Sequence, residues 1–338
     1  MTASGCLASG PRERLPAGRV VVFEGACDAS GAVSVDGTRF VVADDEDNTL
    51  RVYDALAGGA PLESSDVSGA IALSPEAKKA KKKQKRKKKA KPPKVREADL
   101  EGATRLGDYA IWISSHGQTK GGKRVEDRHR YFVTEIPQHQ QPLRVVGAVY
   151  RHLLDDLLAA EQLAPYGLAE ASQRAARTPG SLDIEGLTAA PEGFVWLGFR
   201  SPVTRGKALM VPLSNPVGLS TTTPARWGQP VELDLGGRGI RALSWWGGRY
   251  LIVAGAPGAA ADGPPTALYT WTASTGVARA PLELGDLNVE AVFSPDDRAE
   301  VLLLADDGDR ELDGVRCKDL EDPADKQFRG VWVTLTAR

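Results

Sequence analysis

Four glutamates and one arginine recur along the chain in a shared local pattern: an apolar residue, a charged one, a small one, then a small or apolar one. The segments are Phe23-Glu24-Gly25-Ala26, Leu100-Glu101-Gly102-Ala103, Ile184-Glu185-Gly186-Leu187, Ile240-Arg241-Ala242-Leu243 and Val289-Glu290-Ala291-Val292. If the repeats surround one axis, these five side chains form a ring. Carboxylates held close together repel and raise one another's pKa unless a cation compensates. Arg241 supplies one positive charge, and calcium, which takes oxygen ligands, is the natural candidate for the rest. The plainer alternative is that the side chains reach water in an axial channel and hydrogen-bond the neighbouring repeat. A second acidic set occurs in DDEDN (Asp44–Asn48) and DDGDR (Asp306–Arg310). There Asp44 and Asp307 join the glutamates as candidate calcium ligands, although neither run fits the twelve-residue helix-flanked calcium loop. Acidic turns also hydrogen-bond their own backbone, which is the competing explanation.

His116, in the run SSHGQTKGG, closes a β-rich segment. A histidine there can act as general base, with Arg200 and Arg310 neutralising developing oxyanion charge; a structural, hydrogen-bonded loop histidine is the alternative. His129, His139 and His152 show no ligand spacing. Ser114 and Ser115 lack a G-x-S-x-G elbow, and GGRGIR (Gly236–Arg241) joins two β segments rather than opening a helix, so it is no phosphate-binding fingerprint. Three cysteines make no disulfide framework; Cys27 and Cys317 fall in the first and last repeats, and whether they meet stays open.

The elements that must position these residues are short strands. Each charged position is followed by a turn and a β-rich run: FVVA (40–43), YAIWI (109–113), FVWL (194–197), YLIV (250–253) and VLLL (301–304). Runs of this length bounded by turns read as strands. A third strand follows each, as in TLRVY (49–53) or GVWVTL (330–335). The charged positions lie 77, 84, 56 and 49 residues apart. The first gap holds a lysine-rich insertion (76–97), and the second holds a helical insertion (148–178) with Leu153, Leu154, Leu157 and Leu158 on one face. Without them every repeat is the size of a four-stranded propeller blade. The run GRVVVF (18–23) resembles an outer strand without a blade of its own, while the last repeat runs out after its third strand. The expected fold is therefore an all-β, five-bladed propeller over residues 18–338, with the N-terminal strand closing the last blade, and 1–17 forming a disordered tail.

Formal charge is -1, yet residues 78–96 carry 13 of the 43 basic residues and no acid, leaving the remainder at -14. Such a tract should be a solvated loop. It can engage an anionic polymer non-specifically, although no aromatic residues interleave the lysines as single-stranded nucleic acid would favour. No apolar run is long enough for a membrane span, and the first residues show no secretory pattern; a cytoplasmic monomer is expected.

The runs FEGACDASG, DNTLRVYD, DLEGATRLGDYAIWISSHGQTKGGK, DIEGLTAAPEGFVWLGFRSP, GKALMVPLSNP, LDLGGRGIR, YLIVAG, LLLADDGDR and CKDL resemble the mainly bacterial family known as domain of unknown function 3616, over residues 20–335. The resemblance implies a propeller and no established reaction. The repeated D-[LI]-E-G element (Asp99–Gly102, Asp183–Gly186) is similar to one in esterase-like phytase propellers, which implies a calcium-assisted hydrolase of a phosphoester or ester as one function. The other is a recognition scaffold with an acidic axial site for a small anionic ligand or protein.

Overall fold

The computed structural model describes residues 15–75, 95–137, 141–258, 263–295 and 298–335. Five four-stranded antiparallel sheets stand around one axis. Blade one comprises Gly31–Ser34, Arg39–Ala43, Thr49–Asp54 and Glu63–Asp66; blade two comprises Leu100–Leu106, Tyr109–Ser114, Tyr131–Glu135 and Val145–Tyr150. Blades three and four run in the same way from Asp183–Ala189 and Gly239–Trp246 outward. Blade five is built from Val289–Phe293, Glu300–Ala305 and Gln327–Thr334, and its fourth strand is the N-terminal Arg19–Glu24. Val21 faces Gly330 and Phe23 faces Phe328 in that pairing, so the ring is closed by the first strand of the chain. The buried Phe23 ring stacks on Phe328 and meets Phe40 and Tyr53 edge-on, which binds the closing strand to blade one as well.

The innermost strands share a local irregularity that follows from their sequence. In blades two to five the pairing with the second strand skips one residue: Glu101, Glu185, Arg241 and Glu290. A bulged residue leaves the ladder and its side chain is re-aimed, which is why a charge is tolerated beside apolar neighbours. The small residue that follows lets adjacent inner strands approach. A Cβ on Gly102 would sit 2.8 Å from the Glu185 carbonyl oxygen, and one on Gly186 would sit 2.8 Å from Ile240 Cγ2.

The structure corrects one member of the expected ring. Glu24 ends the outer strand of blade five, pairs with Gln327 and is exposed. Its segment imitates the repeat, but the inner strand of blade one is Gly31–Ser34, so the equivalent position is Ser30 within Asp28-Ala29-Ser30-Gly31. The helical insertion is also shorter than expected. Val145–Tyr150 is the fourth strand of blade two, and the helices are Leu153–Ala159 and Leu168–Ala171, joined by a 3-10 turn. Leu153, Leu154 and Leu157 bury into a core shared with blades two and three, with Leu158 half-buried beside them. Cys27 and Cys317 form a disulfide with Cα atoms 5.7 Å apart, which ties blade one to the loop that carries the short hairpin of Glu311–Leu312 and Val315–Arg316.

Candidate metal centre at the axial mouth

At one end of the axis, the bulged residues and the residues two positions before them converge. Each D-x-E-G element delivers two carboxylates to one group, because the bulge re-aims the glutamate: Asp99, at a left-handed φ of 57° just before its strand, with Glu101, and Asp183 with Glu185. Blade one gives Asp28 and Ser30 at these positions, and blade five gives Asn288 and Glu290. The second-strand ends of blades one and five add Asp45 and Asp306. Three groups result whose ligand oxygens all lie within 4.8 Å of one another: Asp45, Asp99 and Glu101; Glu101, Asp183 and Glu185; and Asp28, Glu290 and Asp306. Glu101 belongs to two of them.

Three guanidinium groups face these eight carboxylates. Arg128 pairs with Asp99 at 3.1 Å, and Arg200 Nη1 donates to Glu185 Oε1 at 2.6 Å. Arg241, standing where blade four would otherwise carry a glutamate, pairs with Glu290 and approaches Glu185 Oε2 at 3.5 Å. Five carboxyl groups remain without a partner of opposite sign among the described residues. Burial, reinforced by the neighbouring carboxylates, pushes Asp28, Asp45, Glu101 and Asp183 well above the usual carboxylate range. Burial likewise raises Asp99, against the opposing pull of Arg128, and raises Asp44 to about 7. Asp28 Oδ1 and Glu185 Oε2, on residues only 4% exposed, receive no hydrogen bond. An all-oxygen set of carboxylates, enclosed and short of positive charge, has the donor chemistry of a calcium site.

Below the acidic ring the axis narrows to a space of about 10 Å³ bordered by Ala32, Ala103, Leu187, Leu243 and Val292. That is about the least room one water needs. The opposite mouth is a different surface: a cavity of about 460 Å³ lined by Ser34, Thr104, Thr188, Ser244, Ser294 and Trp245 among others.

Of the residues expected from sequence, Glu101, Glu185, Glu290 and Arg241 are brought together. Asp44 and Asp307 each lie one residue from the member of their pair that enters a group. Asp44 is buried and accepts from the Glu46 N–H at 2.8 Å, while Asp307 is held by Arg329 at 2.6 Å. Arg200 joins this set through Glu185, whereas His116 and Arg310 have separate engagements. The His116 ring is 2% exposed, shares a hydrogen bond between Nδ1 and the Ser114 carbonyl at 2.7 Å, and lies edge-on to His129 at 5.3 Å. Burial, then His129, pushes its pKa down to about 3. Arg200 is committed to Glu185 and to the Ala256 carbonyl. Arg310 sits in the loop between the second and third strands of blade five, its backbone N–H donating to the Asp307 carbonyl at 2.9 Å. Sequence reasoning missed Asp28, Asp45, Asp99, Asp183 and Asp306. The available signal for Asp99 and Asp183 was the aspartate two places before Glu101 and Glu185, repeated before Ser30 at Asp28; Asp45 and Asp306 were in the acidic turns already noted.

A five-bladed propeller with one acid-lined axial mouth is the class that this fold and site define. Residues 149–313, from the end of blade two into blade five, match the family described as a protein of unknown function (DUF3616). This is the family that the motifs resemble, matched over a shorter span than those motifs cover. A search among curated proteins finds no match. Among solved structures, the chain is similar to the PQQ-bound aldose sugar dehydrogenase of Streptomyces coelicolor, at 11% identity and TM-score 0.41, covering 94% of this chain and 100% of that one. It is similar also to an exo-β-1,3-galactanase of Phanerochaete chrysosporium, at 10% identity and TM-score 0.45, covering 96% and 65% of the two chains. Similarity this distant transfers neither substrate nor chemistry.

Proposed function

We propose that this propeller is a cation-dependent recognition module: calcium is held around Glu101 by carboxylates of blades one to three, and the ion presents its open coordination positions to an anionic ligand at the mouth. The observation that supports the reading is the convergence on Glu101 of Asp45, Asp99, Asp183 and Glu185, with Glu101 itself free of any ion pair among the described residues. Calcium takes six to eight oxygens, so such a site leaves positions for water or a ligand. The alternative, a calcium-assisted hydrolase of a phosphoester or ester, would use His116 as base. Its unpaired Nε2 suits that role, but the ring is enclosed and packed on His129 rather than on the carboxylates. Geometry favours binding.

The basic tract is a second contact for an anionic polymer in this reading. Residues 76–94 lie outside the described residues, and its flanks meet where Pro75 bridges Val95. The test is elemental analysis and calorimetric calcium titration of the wild type and of the Glu101→Gln, Glu185→Gln double variant. Bound calcium that the folded variant loses supports the proposal. A folded wild type that takes up no calcium at millimolar concentration overturns it.

A further inference from the structure

We infer that the mouth holds a second cation, distinct from the one around Glu101, on Asp28, Glu290 and Asp306. The inference rests on the reading of the mouth as a cation site and extends it to a separate position across the axis. The three ligand oxygens lie within 4.8 Å of one another and come from blades one and five alone, so they share no residue with the groups around Glu101.

Each of the three carboxylates is oriented by the protein. Asp28 Oδ2 accepts from Ser30 Oγ at 3.1 Å, which leaves Oδ1 enclosed and without a donor. Glu290 is held through Oε1 by Arg241. Asp306 accepts from the Gly308 N–H at 2.8 Å and from Asn288 Nδ2 at 3.0 Å, and Asn288 in turn accepts from Arg241. Donors that fix the direction of a carboxylate while leaving lone pairs toward a common point are the usual outer shell of a metal site. Blade one and blade five are also locked together at this point. Cys27, bonded to Cys317, directly precedes Asp28, and its carbonyl accepts from the Asp307 N–H at 2.9 Å.

Charge points the same way. Were all eight carboxyls ionised, one divalent ion would leave three of the five uncompensated charges in place, and two ions would leave one. The Asp45 carboxylate also repels Asp28, so an ion at either position relieves the repulsion that the other group feels.

The test is calcium stoichiometry by equilibrium dialysis on the full chain, with Asp28→Asn, Asp306→Asn and Glu101→Gln compared, and folding checked by circular dichroism. Two ions in the wild type, with one in each single variant and none in Asp28→Asn with Glu101→Gln, is the expected result. One ion in the wild type that Asp28→Asn and Asp306→Asn leave in place overturns the second site while sparing the first. Loss of both ions in Glu101→Gln shows a single coupled site and overturns the inference as well. No ion at all in the folded wild type removes the underlying reading with it.

Discussion

Arg241 is the test of how the acidic mouth is balanced. Its guanidinium is 6% exposed and is shared among Glu290, Glu185 and Asn288. Replacing it by Met keeps much of the apolar stem but strands Glu290 without a positive partner, whereas Glu185 keeps Arg200 at 2.6 Å. Removing one partner of a buried ion pair costs about 3–5 kcal/mol, because the charge left behind remains desolvated. At about 2 °C per kcal/mol for a domain of this size, Arg241→Met should lower Tm by ~6–10 °C in the presence of a chelator. Adding Glu290→Gln to Arg241→Met should recover most of that loss, since the stranded charge is then gone. Thermal unfolding followed by circular dichroism reads both effects. A change under 2 °C for the single variant, or a double variant no more stable than the single, would refute the idea that Arg241 acts as the built-in counter-charge.

Further expectations concern acidity, the disulfide and the basic tract. His116 and His129 are held down to about 3 and about 4 by burial, so the folded protein excludes protons that the unfolded chain accepts below its ordinary value. Their contribution to stability therefore falls as pH drops below ~6.5, by at most about 1.4 kcal/mol per pH unit for each ring. The loss ends as pH passes the two folded values. Urea unfolding of wild type and His116→Gln between pH 7 and pH 5 should show the steeper decline in the wild type; parallel curves would contradict the assignment. Reducing the Cys27–Cys317 bond, or replacing both residues by Ser, should cost about 2–5 kcal/mol in chemical unfolding, the usual range for loss of a native disulfide. Deleting residues 78–94 should lower the salt concentration at which the protein leaves an anionic-polymer column, and leave calcium stoichiometry as it was.

The ring was readable because the same physical demands recur in each repeat: an apolar residue before the bulge, a charge in it, and a small residue where strands crowd. Closure was readable because Gly18–Phe23 had no partner nearby and the last repeat lacked a strand. The first blade was misassigned because Phe-Glu-Gly-Ala satisfies the pattern by composition, whereas the true inner position carries Ser30 in place of a glutamate. What separates them is the aspartate two residues earlier, present at Asp28 and absent before Glu24. The acidic turns were found as turns, but of Asp44 and Asp45, and of Asp306 and Asp307, only Asp45 and Asp306 join a carboxylate group. Only the pairing of the strands decides which one enters the mouth. His129 was set aside because nothing in its neighbouring residues shows that its ring lies against His116. The Cys27–Cys317 pairing stayed open in the sequence, because its two halves meet only when the ring has closed.

That closure also sets a clock for the growing chain. The outer strand Arg19–Glu24 is made early, yet its partner Gln327–Thr334 follows about 300 residues later. At a synthesis rate of roughly 5–20 residues per second, the early strand waits on the order of 15–60 seconds before it can pair. Val20 and Val22, exposed even in the finished molecule, are uncovered throughout that interval. Until then the nascent chain carries an unpaired strand edge, which makes that strand a place where a holding chaperone, or a neighbouring copy in an overfilled cell, would take hold.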